Sequence, residues 1–144
     1  MIKIYFDTCS LNRPFDDQTY VRIFLEAEAV SAILQMCEEG NVALVSSQIL
    51  VSETGRNPFI ERRKSIEAIL NFAENEVSLS ETILHRAREL QGYGIKPADT
   101  LHLASAEWAE VDYFCTCDDR FLKKAKERAS IKVVSPLELA QEIE

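Results

Sequence analysis

The 144-residue chain predicts an α/β fold, a three-layer α/β/α sandwich with a central parallel sheet. Short apolar runs at 2–6, 42–45, 112–117 and 131–134 read as strands buried on both faces. Segments with helical spacing separate them, so successive strands run parallel and their C-termini share one edge. No repeat, low-complexity segment or linker interrupts the alternation, and residues 1–144 form one domain.

The first run, Ile2, Ile4, Tyr5 and Phe6, ends abruptly at Asp7. The polar stretch after it contains Pro14, which opposes an early helix, and Asp16 or Asp17, which can supply an N-cap. Val21, Phe24, Leu25, Val30, Ile33, Leu34 and Cys37 predict a helix from about Thr19 to Glu39, ended by Gly40. After the second strand, Ser46 and Ser47 cap a short helix to about Glu53. A helix from Pro58 to Ala73 puts Phe59, Ile66, Ile69 and Leu70 on one side.

Residues 76–79 form a weak third strand, and Ser80 caps a helix to about Leu90. Pro97 opens a helix through Glu110, with Leu101, Leu103, Ala104 and Trp108 apolar. Strand four follows from Asp112 to Cys117, then a helix from Asp118 to Arg128. Strand five spans Ile131 to Val134, and Pro136 starts the last helix.

Apolar content of 47% with four Gly and four Pro indicates an ordered globular chain. A net charge of −8 opposes non-specific coating of nucleic acid, yet metal-binding carboxylates would contribute to the same count. Residues 120–132 carry Arg120, Lys123, Lys124, Lys126, Arg128 and Lys132 against Glu127, a pattern expected of a solvated helix face. Cys9, Cys37, Cys115 and Cys117 make no C-x-x-C pair and read as small buried thiols in a reducing compartment. With no membrane-length apolar run and no signal-peptide pattern, the expected location is the cytoplasm.

Four acids stand at element ends: Asp7 after strand one, Glu53 at the end of the short helix after strand two, Asp99 in the first turn of the Pro97 helix, and Asp118 after strand four. Asp7, Asp99 and Asp118, each taken singly, read as caps. Several carboxylates gathered in one cleft repel one another, and a divalent cation relieves that repulsion. Hard oxygen ligands select Mg²⁺ or Mn²⁺, ions suited to phosphodiester hydrolysis.

The blocks IYFDTCSLN, SSQILVSE, PADTLHLASA and YFCTCDDRF, in this order from Ile4 to Phe121, resemble the four blocks of the PIN domain. Single blocks are unspecific; four in order are specific. The resemblance implies a metal-dependent endoribonuclease acting on RNA phosphodiester bonds, and for many small bacterial relatives the toxin half of a VapBC-type, type II toxin–antitoxin pair. It implies Asp7, Glu53, Asp99 and Asp118 as catalytic acids, with Asp7, Asp99 and Asp118 on Mg²⁺ or Mn²⁺. Thr116 matches the small hydroxyl residue that helps position metal or substrate. A cognate antitoxin and a homodimer are the implied protein partners.

The T-x-D-x-x-F spacing, with Phe121 as its apolar anchor, selects Asp118 over Asp119, which is expected to be exposed. Asn12 is expected to fix a loop, and His102, one turn after Asp99, to be a packed or hydrogen-bonded helix histidine. Arg13, Arg56, Lys96 and Arg120 are the cations near the expected crevice.

Other acid-pocket enzymes fit less well. A HAD-type phosphatase needs an acid at the position of Cys9, and a response-regulator receiver needs a lysine after strand five. No C-x5-R loop or phosphate-cradling Gly-rich loop is present. The remaining rival is a PIN-fold module that binds RNA or protein without cutting.

Overall fold

The computed structural model describes residues 1–143. Five parallel strands form one sheet: β1 (Lys3–Phe6), β2 (Ala43–Ser47), β3 (Asn75–Val77), β4 (Tyr113–Cys115) and β5 (Lys132–Val134), in the order β3-β2-β1-β4-β5. Among the described residues, eight α-helices connect and cover them: α1 (Thr8–Asn12), α2 (Val21–Glu38), α3 (Gln48–Gly55), α4 (Ile60–Leu70), α5 (Glu81–Gln91), α6 (Pro97–Trp108), α7 (Asp119–Arg128) and α8 (Pro136–Glu142).

The expected sandwich is present. The chain winds from β1 outward to β3, then crosses back to β4 on the other side of β1. Right-handed crossovers in opposite directions put helices on opposite faces. Helix α2 packs with α8, and α5 packs with α6. The reversal between β1 and β4 is the topological switch point, where open α/β sheets form a crevice beyond the strand C-termini.

Ile4, Tyr5 and Phe6 in β1 are completely buried, because the central strand is covered on both faces. Tyr5 pairs in register with Phe114 of β4, and their rings stack 5.2 Å apart at 11°. Phe121 meets Phe114 edge-on at 5.6 Å, so the apolar anchor of the Asp118 block locks α7 onto the central strands.

Several local expectations need correction. The stretch after Asp7 is helical: α1 begins at Thr8, and a 3-10 turn over Arg13–Phe15 accommodates Pro14 near its start. Proline opposes a helix upstream only if the helix continues through it, and α1 stops at Asn12. Neither Asp16 nor Asp17 caps α2, whose N-cap is Tyr20. Asp16 pairs with Arg13 and Arg62, while Asp17 accepts both the backbone N–H and hydroxyl of Thr19.

Helix α4 starts after Pro58, and Phe59 is exposed rather than part of the core, as is Trp108. The fourth strand is shorter than expected, ending at Cys115, with Cys117 in the following loop. Gly40 adopts φ +82° just past α2, the left-handed position that a helix-terminating glycine serves.

Candidate active site

Asp7 leaves β1 and becomes the N-cap of α1. Its Oδ1 accepts the Ser10 N–H at 3.1 Å and lies 3.1 Å from the Cys9 thiol that donates to it. Asp118 repeats the arrangement three residues after Cys115, the last residue of β4. It caps α7, with Oδ1 accepting the N–H groups of Arg120 and Phe121 at 3.0 and 3.1 Å. Asp99 enters from the first turn of α6. Glu53 lies near the C-terminal end of α3, a helix capped by Ser47. Of the expected serine pair, Ser47, the last residue of β2, is the cap, its hydroxyl accepting the Leu50 N–H; Ser46, one residue earlier in the strand, is not.

These four acids, with Thr8, Cys9 and His102, line one cavity of about 340 Å³ at the C-terminal edge of the sheet. Capping and lining the cavity are therefore compatible. These hydrogen bonds to the carboxyl groups of Asp7 and Asp118 fall on Oδ1, and those to the Glu53 carboxyl, from His102 and Thr8, fall on Oε1. The Asp99 carboxyl, in the first turn of α6, accepts no hydrogen bond from a described residue.

The electrostatics differ from acid to acid. Burial pushes the Asp7 carboxyl well above the usual range, with the neighbouring Cys9 adding to the rise and the Thr116 hydroxyl opposing it. Burial also raises Asp99, reinforced by the negative charge of Asp118. Burial pushes Glu53 in the same direction, but hydrogen bonds from His102 and Thr8 outweigh it and hold the carboxyl below its ordinary value.

His102 is buried in α6, and its Nε2 lies 2.6 Å from Glu53 Oε1. Its Nδ1 lies 2.6 Å from Tyr5 Oη, and Tyr5 Oη lies 2.6 Å from Ser47 Oγ. The Thr8 hydroxyl also donates to Glu53 Oε1. His102 is thus the hydrogen-bonded histidine that its helix position suggests. The part that Tyr5, Thr8, Cys9 and Ser47 play at or behind the cavity escapes sequence reasoning, which reads Ser47 only as a cap and Cys9 only as a buried thiol. The one available signal is a tyrosine in an otherwise aliphatic and phenyl strand, since a buried hydroxyl requires a partner.

Thr116 is buried, its Oγ1 accepting the Asp118 N–H at 3.1 Å and standing 3.5 Å from Cys9 Sγ. Asn12 fixes the loop, as expected: its amide donates to Thr8 O at 2.9 Å, and its carbonyl accepts from Asn57 at 3.2 Å. Asp119 is exposed and forms a bidentate pair with Arg22 at 2.7 and 2.5 Å.

Arg13 turns away from the role of a crevice cation. It faces the buried Glu26 at 3.2 Å and also pairs with Asp16. Lys96 and Arg120, with Lys124, instead line a neighbouring cavity of about 450 Å³ that shares Asp99 and Asp118 with the first.

As they stand, no three His, Cys, Asp or Glu side chains among the described residues converge closely enough to hold an ion. The donor set nevertheless fits a hard divalent cation. Its members are carboxylates with an oxygen outside the protein's hydrogen bonds, and two of them are disfavoured as charges by burial.

The PIN domain family profile matches residues 4–127. The chain belongs to the PIN domain family. Solved PIN-like folds similar to this one include VapBC2 from Rickettsia felis, bound to a DNA fragment from its promoter. That comparison has a TM-score of 0.59 and 14% identity, covering 94% of this chain and 98% of the other. PAE2754 from Pyrobaculum aerophilum gives 0.58 and 14%, covering 98% and 88%. VapBC-1 from nontypeable Haemophilus influenzae gives 0.55 and 15%, covering 95% and 99%. At these identities the likeness shows the PIN fold alone. No curated protein sequence matches the chain.

Proposed function

We propose that this PIN domain is a metal-dependent endoribonuclease and the toxin of a type II toxin–antitoxin pair. The observation that carries the nuclease reading is the meeting of Asp7, Glu53, Asp99 and Asp118, from four separate elements, around one cavity at the switch point. Asp7, Asp99 and Asp118 would hold Mg²⁺ or Mn²⁺. Such an ion supplies Lewis-acid chemistry, activating water and offsetting charge on the phosphodiester in the transition state.

The protein's own groups do the rest. Glu53, held ionised by His102 and Thr8, is placed to orient or accept a proton from the attacking water. Thr116 fixes the backbone at Asp118 and so positions that acid. Lys96, Arg120 and Lys124 beside the acids suit the phosphates of an RNA strand passing through the adjoining cavity.

The toxin–antitoxin part is supported by the fold shared with the two VapBC proteins, and it brings a cognate antitoxin and a homodimer with it. Four free thiols accord with a reducing, cytoplasmic setting. Among the described residues, no helix is long and apolar enough to cross a membrane.

The test is cleavage of a panel of structured RNAs with Mn²⁺ or Mg²⁺, comparing wild type with folded Asp7→Asn and Asp99→Asn. Metal-dependent cleavage by wild type, lost in both variants, supports the nuclease. A wild type that neither binds Mn²⁺ by calorimetry nor cuts RNA would leave the non-catalytic PIN-fold binding module in its place.

A further inference from the structure

Helix α3 is joined to itself through the core of the protein. From its cap, Ser47, hydrogen bonds run through Tyr5 of β1 and His102 of α6 to Glu53 near the other end of the same helix. We propose that this chain fixes the His102 proton on Nε2, making His102 a positioning residue that holds Glu53 by Oε1 and leaves Oε2 for the cavity.

The direction follows from counting donors. Ser47 Oγ accepts the Leu50 N–H at 3.2 Å. Ser47 is completely buried, and among the described residues Tyr5 Oη, 2.6 Å away, is the acceptor available to its hydroxyl proton. Tyr5 then has its own proton to place, and His102 Nδ1 lies 2.6 Å away. An Nδ1 that accepts carries no hydrogen, so the imidazole proton is on Nε2, 2.6 Å from Glu53 Oε1.

Running the chain the other way would make Tyr5 donate to Ser47. The Ser47 hydrogen would then have no acceptor in a dry site, an arrangement that folded proteins avoid. Thr8 adds a second donor on the same oxygen, Glu53 Oε1. The carboxylate is thereby clamped on one oxygen from two sides while its other oxygen stays outside the clamp. A group so held loses little orientational freedom when it acts.

The tautomer is independent of the nuclease reading, whereas its consequence for cleavage rests on it. Imidazole nitrogen-15 spectra of the full chain, without added metal, are expected to show a protonated Nε2 and a bare Nδ1 on His102. Tyr5→Phe, which keeps the ring stack on Phe114 and removes only the hydroxyl that donates to Nδ1, is expected to move the Nδ1 resonance toward that of a nitrogen with no hydrogen bond, while Nε2, still facing Glu53 Oε1, keeps its proton. A proton on Nδ1, or on both nitrogens, in the wild type would overturn the proposal.

In the RNA-cleavage assay, folded His102→Ala is expected to lower kcat by about 10- to 100-fold with KM little changed. His102→Gln, whose amide nitrogen can reach the place of Nε2, is expected to recover most of the loss; His102→Asn, with a shorter reach, is not. Wild-type kcat in folded His102→Ala would overturn the positioning role. A wild type that cuts no RNA would remove the nuclease reading, while the nitrogen-15 result would still decide the wiring.

Discussion

Asp7 and Asp118 follow the adjacent strands β1 and β4, and each caps the next helix through Oδ1. The same side chains therefore serve the fold and line the cavity. Separating those two tasks experimentally requires substitutions that preserve one of them.

Asp7→Asn is expected to stabilise the metal-free protein at neutral pH, because asparagine caps as well as aspartate and carries no charge to bury. The folded protein raises the Asp7 carboxyl above its unfolded value, so this group's favourable contribution is complete below the unfolded pKa. It is lost as pH rises through the folded pKa. A gain of about 1 kcal/mol corresponds to a rise in Tm of about 4 °C, visible by calorimetry at pH 7 and shrinking toward pH 3.

Asp118 tests the cap from the other side. Asp118→Ala removes the acceptor for two N–H groups of α7 and is expected to cost about 1 kcal/mol, whereas Asp118→Asn is expected to cost much less. Denaturant unfolding measures the difference. Both variants are expected to lose RNA cleavage, since neither retains the charge.

Saturating Mn²⁺ is expected to stabilise wild type by about 2.7 kcal/mol at one hundred times its Kd. The double variant Asp7→Asn, Asp99→Asn is expected to show almost none of that gain. Thermal melts over a Mn²⁺ series, with Ca²⁺ and buffer controls, read this directly.

Phe114→Ala is expected to cost about 3–5 kcal/mol, because Phe114 is fully buried between the Tyr5 stack and the Phe121 edge. Chemical denaturation measures the loss. Its effect should reach the site as well, since the same stack supports Tyr5, whose hydroxyl meets His102.

The legible parts of the fold were those with a local cause. Buried runs such as Ile4–Phe6 and Val133–Val134 declare interior strands, and Ser47, Ser80, Pro97 and Pro136 mark helix starts by satisfying or sparing backbone donors. Failures came where local cues conflict with packing. Helix α1 is one turn tied down by the Asp7 cap, too short to show a period. Phe59 and Trp108 are apolar yet exposed, because the rotation of each helix against the sheet is set by its neighbours rather than by hydropathy.

The amino-acid sequence by itself determined a parallel α/β sandwich and put four acids at element ends, since capping chemistry and apolar periodicity act between near neighbours. Only the tertiary structure decided that those acids share one cavity and that Ser47, Tyr5, His102 and Glu53 are wired together. The three links join residues 42, 97 and 49 positions apart. Such contacts arise from strand order and register, which place β1 between β2 and β4, and no local pattern in the chain encodes a partner at that distance.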